Sequence, residues 1–173
     1  FTPMIGVDGA ALGLPRFNVH GFDPNRHWNE VDLRDQKYLT KMPEIWYPKK
    51  ALVHHRAMGR RIDLMINMHN TETAEYLETQ ATDEQSLARM RALFDRLVAG
   101  TTFDPSTPTL RVAKQPAGNT NWMYQEAGIP VMLMEQRIGF SMKLNRWPLV
   151  SDRLEFGPAL LSAMVSAAQL VRE

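Results

Sequence analysis

The chain has 173 residues, a formal net charge of +1 and 44% hydrophobic residues, values typical of an ordinary globular protein with a buried core. The absence of cysteine excludes disulfides, thiolate metal ligands and a cysteine nucleophile. Lys and Arg are scattered, so we expect no nucleic-acid partner. No apolar run approaches the roughly 20 residues that a membrane span needs.

The first 30 residues are rich in Gly, Pro and Asn, which predicts an ordered loop after a short strand. Residues 43–60 predict a helix that ends near Gly59, and residues 61–69 then alternate as a mostly buried strand does. A clear helix is predicted from Thr82 to Ala99, with Thr82 and Gln85 forming a capping box.

The second half of the chain continues the alternation of strands and helices. Residues 110–114 predict a short strand, 119–128 a short helix, and 129–137 a strongly apolar strand that ends in charge. A final amphipathic helix is predicted over 152–172, with apolar positions that include Leu154, Leu161 and Val165. This alternation predicts an α/β sandwich with a mixed or parallel sheet.

Two polar residues end predicted strands, where open α/β sheets bind ligands. His69 closes one strand, and neutral imidazole is the commonest metal ligand; the alternative is a strand-end histidine bonded to the backbone. Glu135 closes an apolar run, so burial should raise its pKa and suit a general base or acid. The alternative is a structural glutamate in a salt bridge with Arg137 or another arginine.

The loop near the N-terminus supplies Arg16, Asn25 and Arg26 within eleven positions. Arginine binds carboxylates through two parallel hydrogen bonds and stabilises oxyanions. The alternative for a loop arginine is a solvated charge. Together with His69 and Glu135, these residues indicate a metal hydrolase that acts on an anionic substrate.

Three stretches resemble motifs of the carboxypeptidase A-like zinc metallocarboxypeptidase family. The loop DGAALGLPRFNVHGFDPNRHW (8–28) resembles the family's arginine-rich loop, although Gly6-Val7 and Pro24 depart from the usual pattern. RIDLMINMHN (61–70) resembles the strand that ends at the last zinc ligand. GNTNWMYQEAGIPVMLMEQR (118–137) resembles the segment that leads to the catalytic glutamate.

The resemblance implies a three-layer α/β/α sandwich, phosphorylase/hydrolase-like, with a mixed, largely parallel sheet. It implies that residues 1–173 form a single domain, the C-terminal portion of a catalytic domain that is incomplete at its N-terminus. It implies a zinc (Zn2+) cofactor with His69 as metal ligand, and Asp23 as the carboxylate that orients a zinc-binding histidine. The remaining implied roles are Glu135 as general base, Arg16 at the oxyanion, Asn25 and Arg26 at the substrate carboxylate, and Thr120 at the substrate side chain.

The chain also departs from the family. The family's first two zinc ligands form a His-x-x-Glu pair before the arginine loop, and no histidine precedes the loop here. The one His-x-x-Glu, His69 with Glu72, follows the loop, so the order assigns His69 to the single later ligand and Glu72 to a polar loop. Ala113 stands where a substrate-capping tyrosine is usual, and Thr120 indicates neither a basic nor an aromatic preference.

The implied reaction is zinc-dependent hydrolysis of an amide bond next to a free carboxylate, with Glu135 assisting the attack of a zinc-bound water. The expected partner is a peptide or acyl-amino-acid substrate with a free carboxylate. Two alternatives stay open. One is an amidase, deacylase or cell-wall peptide hydrolase on the same scaffold, and the other is a non-catalytic anion-binding domain that lacks metal.

Overall fold

The computed structural model describes residues 6–14, 16–105, 110–113 and 118–169, which fall into two compact units. Unit 1 comprises the described residues of 1–62 and 116–128, and unit 2 those of 63–115 and 129–173. The elements in chain order are α1 (Val7–Ala11), α2 (Lys37–Lys41), α3 (Pro43–Ala57), β1 (Met65–Thr71), β2 (Tyr76–Thr79), α4 (Glu84–Gly100), β3 (Arg111–Val112), α5 (Asn119–Asn121), a π-helical turn (Trp122–Glu126), β4 (Val131–Arg137) and α6 (Val150–Gln169).

Unit 1 is built around α3, which the sequence predicted. Pro43 opens this helix, where a missing N–H costs no hydrogen bond, and Gly59 follows its end with φ +71. The N-terminal loop contains the short helix α1, and the strand expected before it lies outside the described residues. The buried apolar side chains of this unit include Trp28, Val31, Met42, Ile45, Trp46, Trp122 and Met123.

Unit 2 contains a four-stranded mixed sheet in the order β1-β4-β2-β3. β1 runs parallel to β4, β4 antiparallel to β2, and β2 parallel to β3. The predicted α/β class with a mixed sheet is therefore confirmed. That the whole chain is one domain with three layers remains a prediction.

The strands differ in detail from the sequence prediction. β1 begins at Met65 instead of residue 61, because its partner β4 begins at Val131. β2 was not predicted, since Tyr76 and Glu78 alternate with buried Leu77 and Thr79 over four residues only.

Helices α4 and α6 pack against each other. The capping box of Thr82 and Gln85 was wrong: Asp83 is the N-cap, because its carboxylate accepts a hydrogen bond from the Ser86 N–H at 2.8 Å.

The apolar face that α6 buries also differs from the positions that the sequence suggested. Leu154, Leu161 and Val165 are exposed. The buried positions of the helix are Asp152, Phe156, Leu160, Ala163 and Ala167. Two of these buried residues are alanines, whereas the larger Leu154, Leu161 and Val165 are exposed. Side-chain size in the sequence therefore does not identify the buried face of α6. No helix among the described residues is long and apolar enough to cross a bilayer.

We expect Asp83→Ala to lower the free energy of unfolding by about 1 kcal/mol, because an N–H of the first turn of α4 loses its acceptor. Gln85→Ala is the matched control, since Gln85 is exposed in the same turn. Urea unfolding measures both. An equal loss of unfolding free energy in the two variants, or a larger loss in Gln85→Ala, would support the predicted capping box of Thr82 and Gln85 instead.

Candidate active site

The loop of unit 1 that carries the candidate arginines is shaped by buried Asn18. The Asn18 Oδ1 accepts hydrogen bonds from the backbone N–H groups of His20 and Phe22, each at 3.0 Å. Its Nδ2 donates to the Lys41 carbonyl at 2.9 Å and to the Glu44 carboxylate at 3.0 Å. All four bonds need an amide at this position, so Asn18 connects the loop to the start of α3.

Asp23 is the second buried polar residue of the loop. One carboxylate oxygen accepts from the Arg16 Nε at 2.7 Å, and the other accepts from the Asn25 backbone N–H at 2.8 Å. Burial by itself would raise the pKa of Asp23, but the Asn25 hydrogen bond and the Arg16 guanidinium outweigh it, so the pKa lies below its ordinary value. Asp23 is therefore a carboxylate at neutral pH. Its predicted contact with a zinc-binding histidine stays a prediction.

The two candidate arginines of the loop are exposed. Arg16 uses its Nε for Asp23, and Arg26 donates from Nη1 to the Asn25 carbonyl at 3.3 Å. These contacts use only part of the five donors of each guanidinium. Arg16 is thus held through Nε and Arg26 through one terminal nitrogen, and the remaining donors of both exposed guanidinium groups can bind solvent or an anionic ligand.

Asn25 is joined to the segment that contains Thr120. The Asn119 N–H donates to the Asn25 Oδ1 at 3.4 Å, and the buried Thr120 hydroxyl donates to the Asn119 side chain at 3.1 Å. Gly118 has φ +83, and a Cβ there would clash with the Asn25 carbonyl oxygen. Asn25 and Thr120, which the resemblance assigns to substrate binding, therefore lie in one packed part of unit 1, and exposed Arg26 follows Asn25 in the chain.

In unit 2, His69 and Glu135 lie side by side. They are direct partners in the parallel pairing of β1 with β4, so both side chains project from the same face of the sheet. The His69 Nε2 lies 2.9 Å from the Asn67 amide nitrogen. The sheet thus brings together two residues that are 66 positions apart in the sequence.

Glu135 is half-buried, and its Oε2 is buried without a hydrogen-bond partner among the described residues. Burial first, and then the negative charge of Glu78, raise the pKa of its carboxyl group. Arg137 lies 3.8 Å from Asp104 and donates to the Phe140 carbonyl. The alternative of a structural salt bridge between Glu135 and an arginine stays a prediction. Glu135 therefore has one carboxylate oxygen that no described group donates to.

Sequence reasoning missed the residues on the other side of Glu135. Tyr76 is its direct partner in the antiparallel pairing with β2, and the Arg111 guanidinium carbon lies 3.9 Å from the centre of the Tyr76 ring. Burial, followed by the charges of Glu135 and Glu78, raises the pKa of Tyr76. The short alternation of Tyr76, Leu77, Glu78 and Thr79 in the sequence was the signal that could have indicated this strand.

The described residues do not by themselves fit a zinc site. A catalytic zinc takes three protein ligands, and no group of three His, Cys, Asp or Glu in the described part of the chain could hold a metal. Glu72 is exposed, and its carbonyl accepts from the Gly139 N–H at 3.1 Å. This agrees with the prediction that Glu72 is a loop residue. His69 is the one metal ligand that the resemblance assigns.

No protein-family model matches the sequence, and no curated protein matches it. Several solved structures share its fold. A metallo-carboxypeptidase from Burkholderia cenocepacia matches with a TM-score of 0.75 and 17% identity over 97% of this chain and 44% of that one. A protein assigned as a carboxypeptidase A from Shewanella denitrificans matches with a TM-score of 0.72 and 19% identity over 95% and 44%. A protein assigned as a carboxypeptidase from Burkholderia mallei gives 0.68 and 17% over 97% and 44%.

The structural resemblance to metallocarboxypeptidases that the sequence predicted is therefore confirmed at the level of the fold. The chain spans less than half the length of the solved structures that it matches.

The lowered pKa of Asp23 predicts a dependence of stability on pH. A carboxyl group whose pKa is lower in the folded than in the unfolded state contributes stability above its unfolded pKa and loses it as the pH falls through the folded pKa. We expect Asp23→Asn to be less stable than the wild type at pH 7, and the difference to shrink on acidification below the ordinary aspartate pKa of 3.8. Urea unfolding at several pH values measures this difference. A constant or growing difference would contradict it.

Proposed function

We propose that this chain belongs to a hydrolase of the carboxypeptidase type, which cleaves an amide bond next to a free carboxylate. The observation that carries the proposal is Glu135, a half-buried carboxylate beside His69 on one sheet face, with one oxygen that has no hydrogen-bond partner in the part of the chain that the structure describes. The carboxypeptidase fold of the solved structures supports the same reaction class.

Glu135 acts as the general base in this proposal. Its pKa is raised toward neutral pH, and a base whose pKa lies near the working pH both accepts and returns a proton effectively. The carboxylate takes the proton of the attacking water and then delivers it to the departing amine. Two steps of one reaction are thus assigned to one side chain.

The arginines of unit 1 handle the charges of the substrate. Arg16 stabilises the negative charge that develops on the carbonyl oxygen, and its contact with Asp23 fixes the base of the guanidinium. Asn25 and Arg26 bind the terminal carboxylate, and this contact orients the bond that is to be cleaved. Thr120 lies next to the substrate side chain in this proposal and indicates neither a basic nor an aromatic preference.

We further propose that His69 is one ligand of a zinc ion whose remaining ligands lie outside the described residues. Zinc, when bound, supplies Lewis-acid polarisation of the carbonyl and a more acidic water. The partner is a peptide or an acyl amino acid with a free carboxylate.

A second candidate function is hydrolysis of non-peptide amides, such as N-acyl amino acids, on the same scaffold. Ala113 supports it, because a methyl group stands where a substrate-capping tyrosine is expected, and its N–H donates to the Thr79 carbonyl at 2.8 Å. A panel of peptides and N-acyl amino acids, assayed with zinc supplied, separates the two candidates. Binding without turnover of either class would favour a non-catalytic anion-binding domain.

We expect Glu135→Gln to lower kcat/KM by about 10² or more, because the amide cannot accept the proton of the attacking water. Glu78→Gln is the matched control: it removes a carboxylate from the neighbouring strand without removing the base, so the loss should stay within about tenfold. Steady-state kinetics on one peptide substrate measures both variants. Similar losses in the two variants would mean that Glu135 acts only through local charge.

We expect Arg26→Ala to raise the KM for a peptide with a free C-terminal carboxylate by about 10- to 100-fold, since it removes a charge-assisted hydrogen bond. The same peptide with an amidated C-terminus should bind equally weakly to the wild type and to Arg26→Ala, measured as an inhibition constant. Arg34→Ala is the control, because this exposed arginine is already paired with Asp32 at 2.8 Å. An unchanged KM for the free acid would show that Arg26 does not bind the carboxylate.

A further inference from the structure

Lys49 is buried in α3, with 8% of its surface exposed. Its Nζ donates hydrogen bonds to the carbonyls of Trp28 and Val31, both at 2.7 Å. No carboxylate among the described residues lies within ion-pair distance of it. Lysine is almost never fully buried unless it is paired, so these two carbonyls must offset much of the cost of burying the charge.

Two tryptophans complete the surroundings of Lys49. The Nζ lies 4.7 Å from the centre of the Trp122 ring, a cation–π distance, and the Trp122 and Trp28 rings lie 5.5 Å apart. The fully buried Trp28 indole N–H donates to the Pro24 carbonyl at 2.7 Å. Lys49, Trp28 and Trp122 form a single packed group, here called the lysine clamp.

The lysine clamp holds residues 24–28 at both ends. The Trp28 indole bonds the Pro24 carbonyl, and Lys49 bonds the Trp28 carbonyl. Asn25 and Arg26 lie between these two points. The Asn119 N–H also donates to the Asn25 side chain, and Trp122 follows three residues later in the same helical segment.

We propose that Lys49 is a positioning residue that orders the carboxylate-binding segment 24–28. It touches no substrate in this proposal and acts through the backbone that carries Asn25 and Arg26. The part that concerns substrate rests on the proposed function. Removing the ammonium leaves two buried carbonyls without donors and the Trp122 ring without its cation, so the segment loses its fixed geometry.

The test compares Lys49→Met with Lys50→Met in the intact protein. Methionine keeps an unbranched apolar stem and removes the donors. Lys50 is the matched control, because it is the next residue of α3, is exposed, and has its Nζ 4.5 Å from the centre of the Trp46 ring. Hydrogen exchange of the Trp28 indole N–H, followed by NMR, reports on the clamp without any activity.

Binding and kinetic measurements test whether the lysine clamp affects substrate binding. We expect Lys49→Met to speed exchange of the Trp28 indole N–H about tenfold or more, the effect of leaving buried carbonyls unsatisfied. We expect it to weaken binding of N-acetyl-L-alanine, the probe, and to raise KM for a free-carboxylate peptide by about tenfold, with kcat changed less than about twofold. Lys50→Met should match the wild type in all four measurements.

Each contrary result has a distinct meaning. Wild-type exchange in a folded Lys49→Met would overturn the clamp, and faster exchange with unchanged probe affinity and KM would overturn its role in substrate binding. A wild-type protein that does not bind the probe would overturn the proposed function, while the exchange comparison would still decide the clamp. If Lys49→Met does not fold, Lys49→Gln, which keeps a shorter neutral donor, is judged by the same limits.

Discussion

Strand β4 pairs with β1 on one side and β2 on the other, and this double pairing fixes the face from which Glu135 projects. A slip of one residue in either register would turn Glu135 to the opposite face and expose Met134, which is fully buried. The hydrophobic burial of Met132 and Met134 therefore holds a polar group in place. The arrangement of His69, Glu135 and Tyr76 depends on that register.

Unit 1 positions its polar groups by a different physical means. Asn18, Asp23 and Lys49 are buried polar residues, and each hydrogen-bonds backbone groups of the loop or of its neighbours. A buried polar group that loses its partner costs more than an average hydrogen bond contributes, so these contacts select one loop conformation. The exposed guanidinium groups of Arg16 and Arg26 project from a loop that is fixed underneath them.

The sequence allowed prediction of the elements with a long or unambiguous apolar pattern. β4 and α4 lie close to their predicted ranges, because each buries a continuous run or a full helical stripe. β2 was missed since it has four residues, and the α6 face was misjudged because alanines form part of the buried surface. Spacing alone could not choose Asp83 over Thr82 as the N-cap, since both side chains suit that position.

For the candidate site, the resemblance identified the residues, and the structure supplied the contacts among those within each unit. Glu135 and His69 were expected at strand ends, but their direct pairing required the strand order, which no local pattern encodes. The roles of Asn18 and Lys49 depend in part on hydrogen bonds to backbone carbonyls 18 to 23 positions away. A zinc site remains a proposal that rests on the resemblance, because no group of three metal ligands occurs among the described residues.

The most direct test of the hydrolase assignment is mass spectrometry of a peptide and its C-terminally amidated form, each incubated with the zinc-supplied protein in ¹⁸O-labelled water. The account predicts release of the C-terminal residue from the free acid, with ¹⁸O in the new carboxylate of the shortened peptide, and no release from the amide. Cleavage of both peptides at internal bonds, or cleavage of neither, would contradict it.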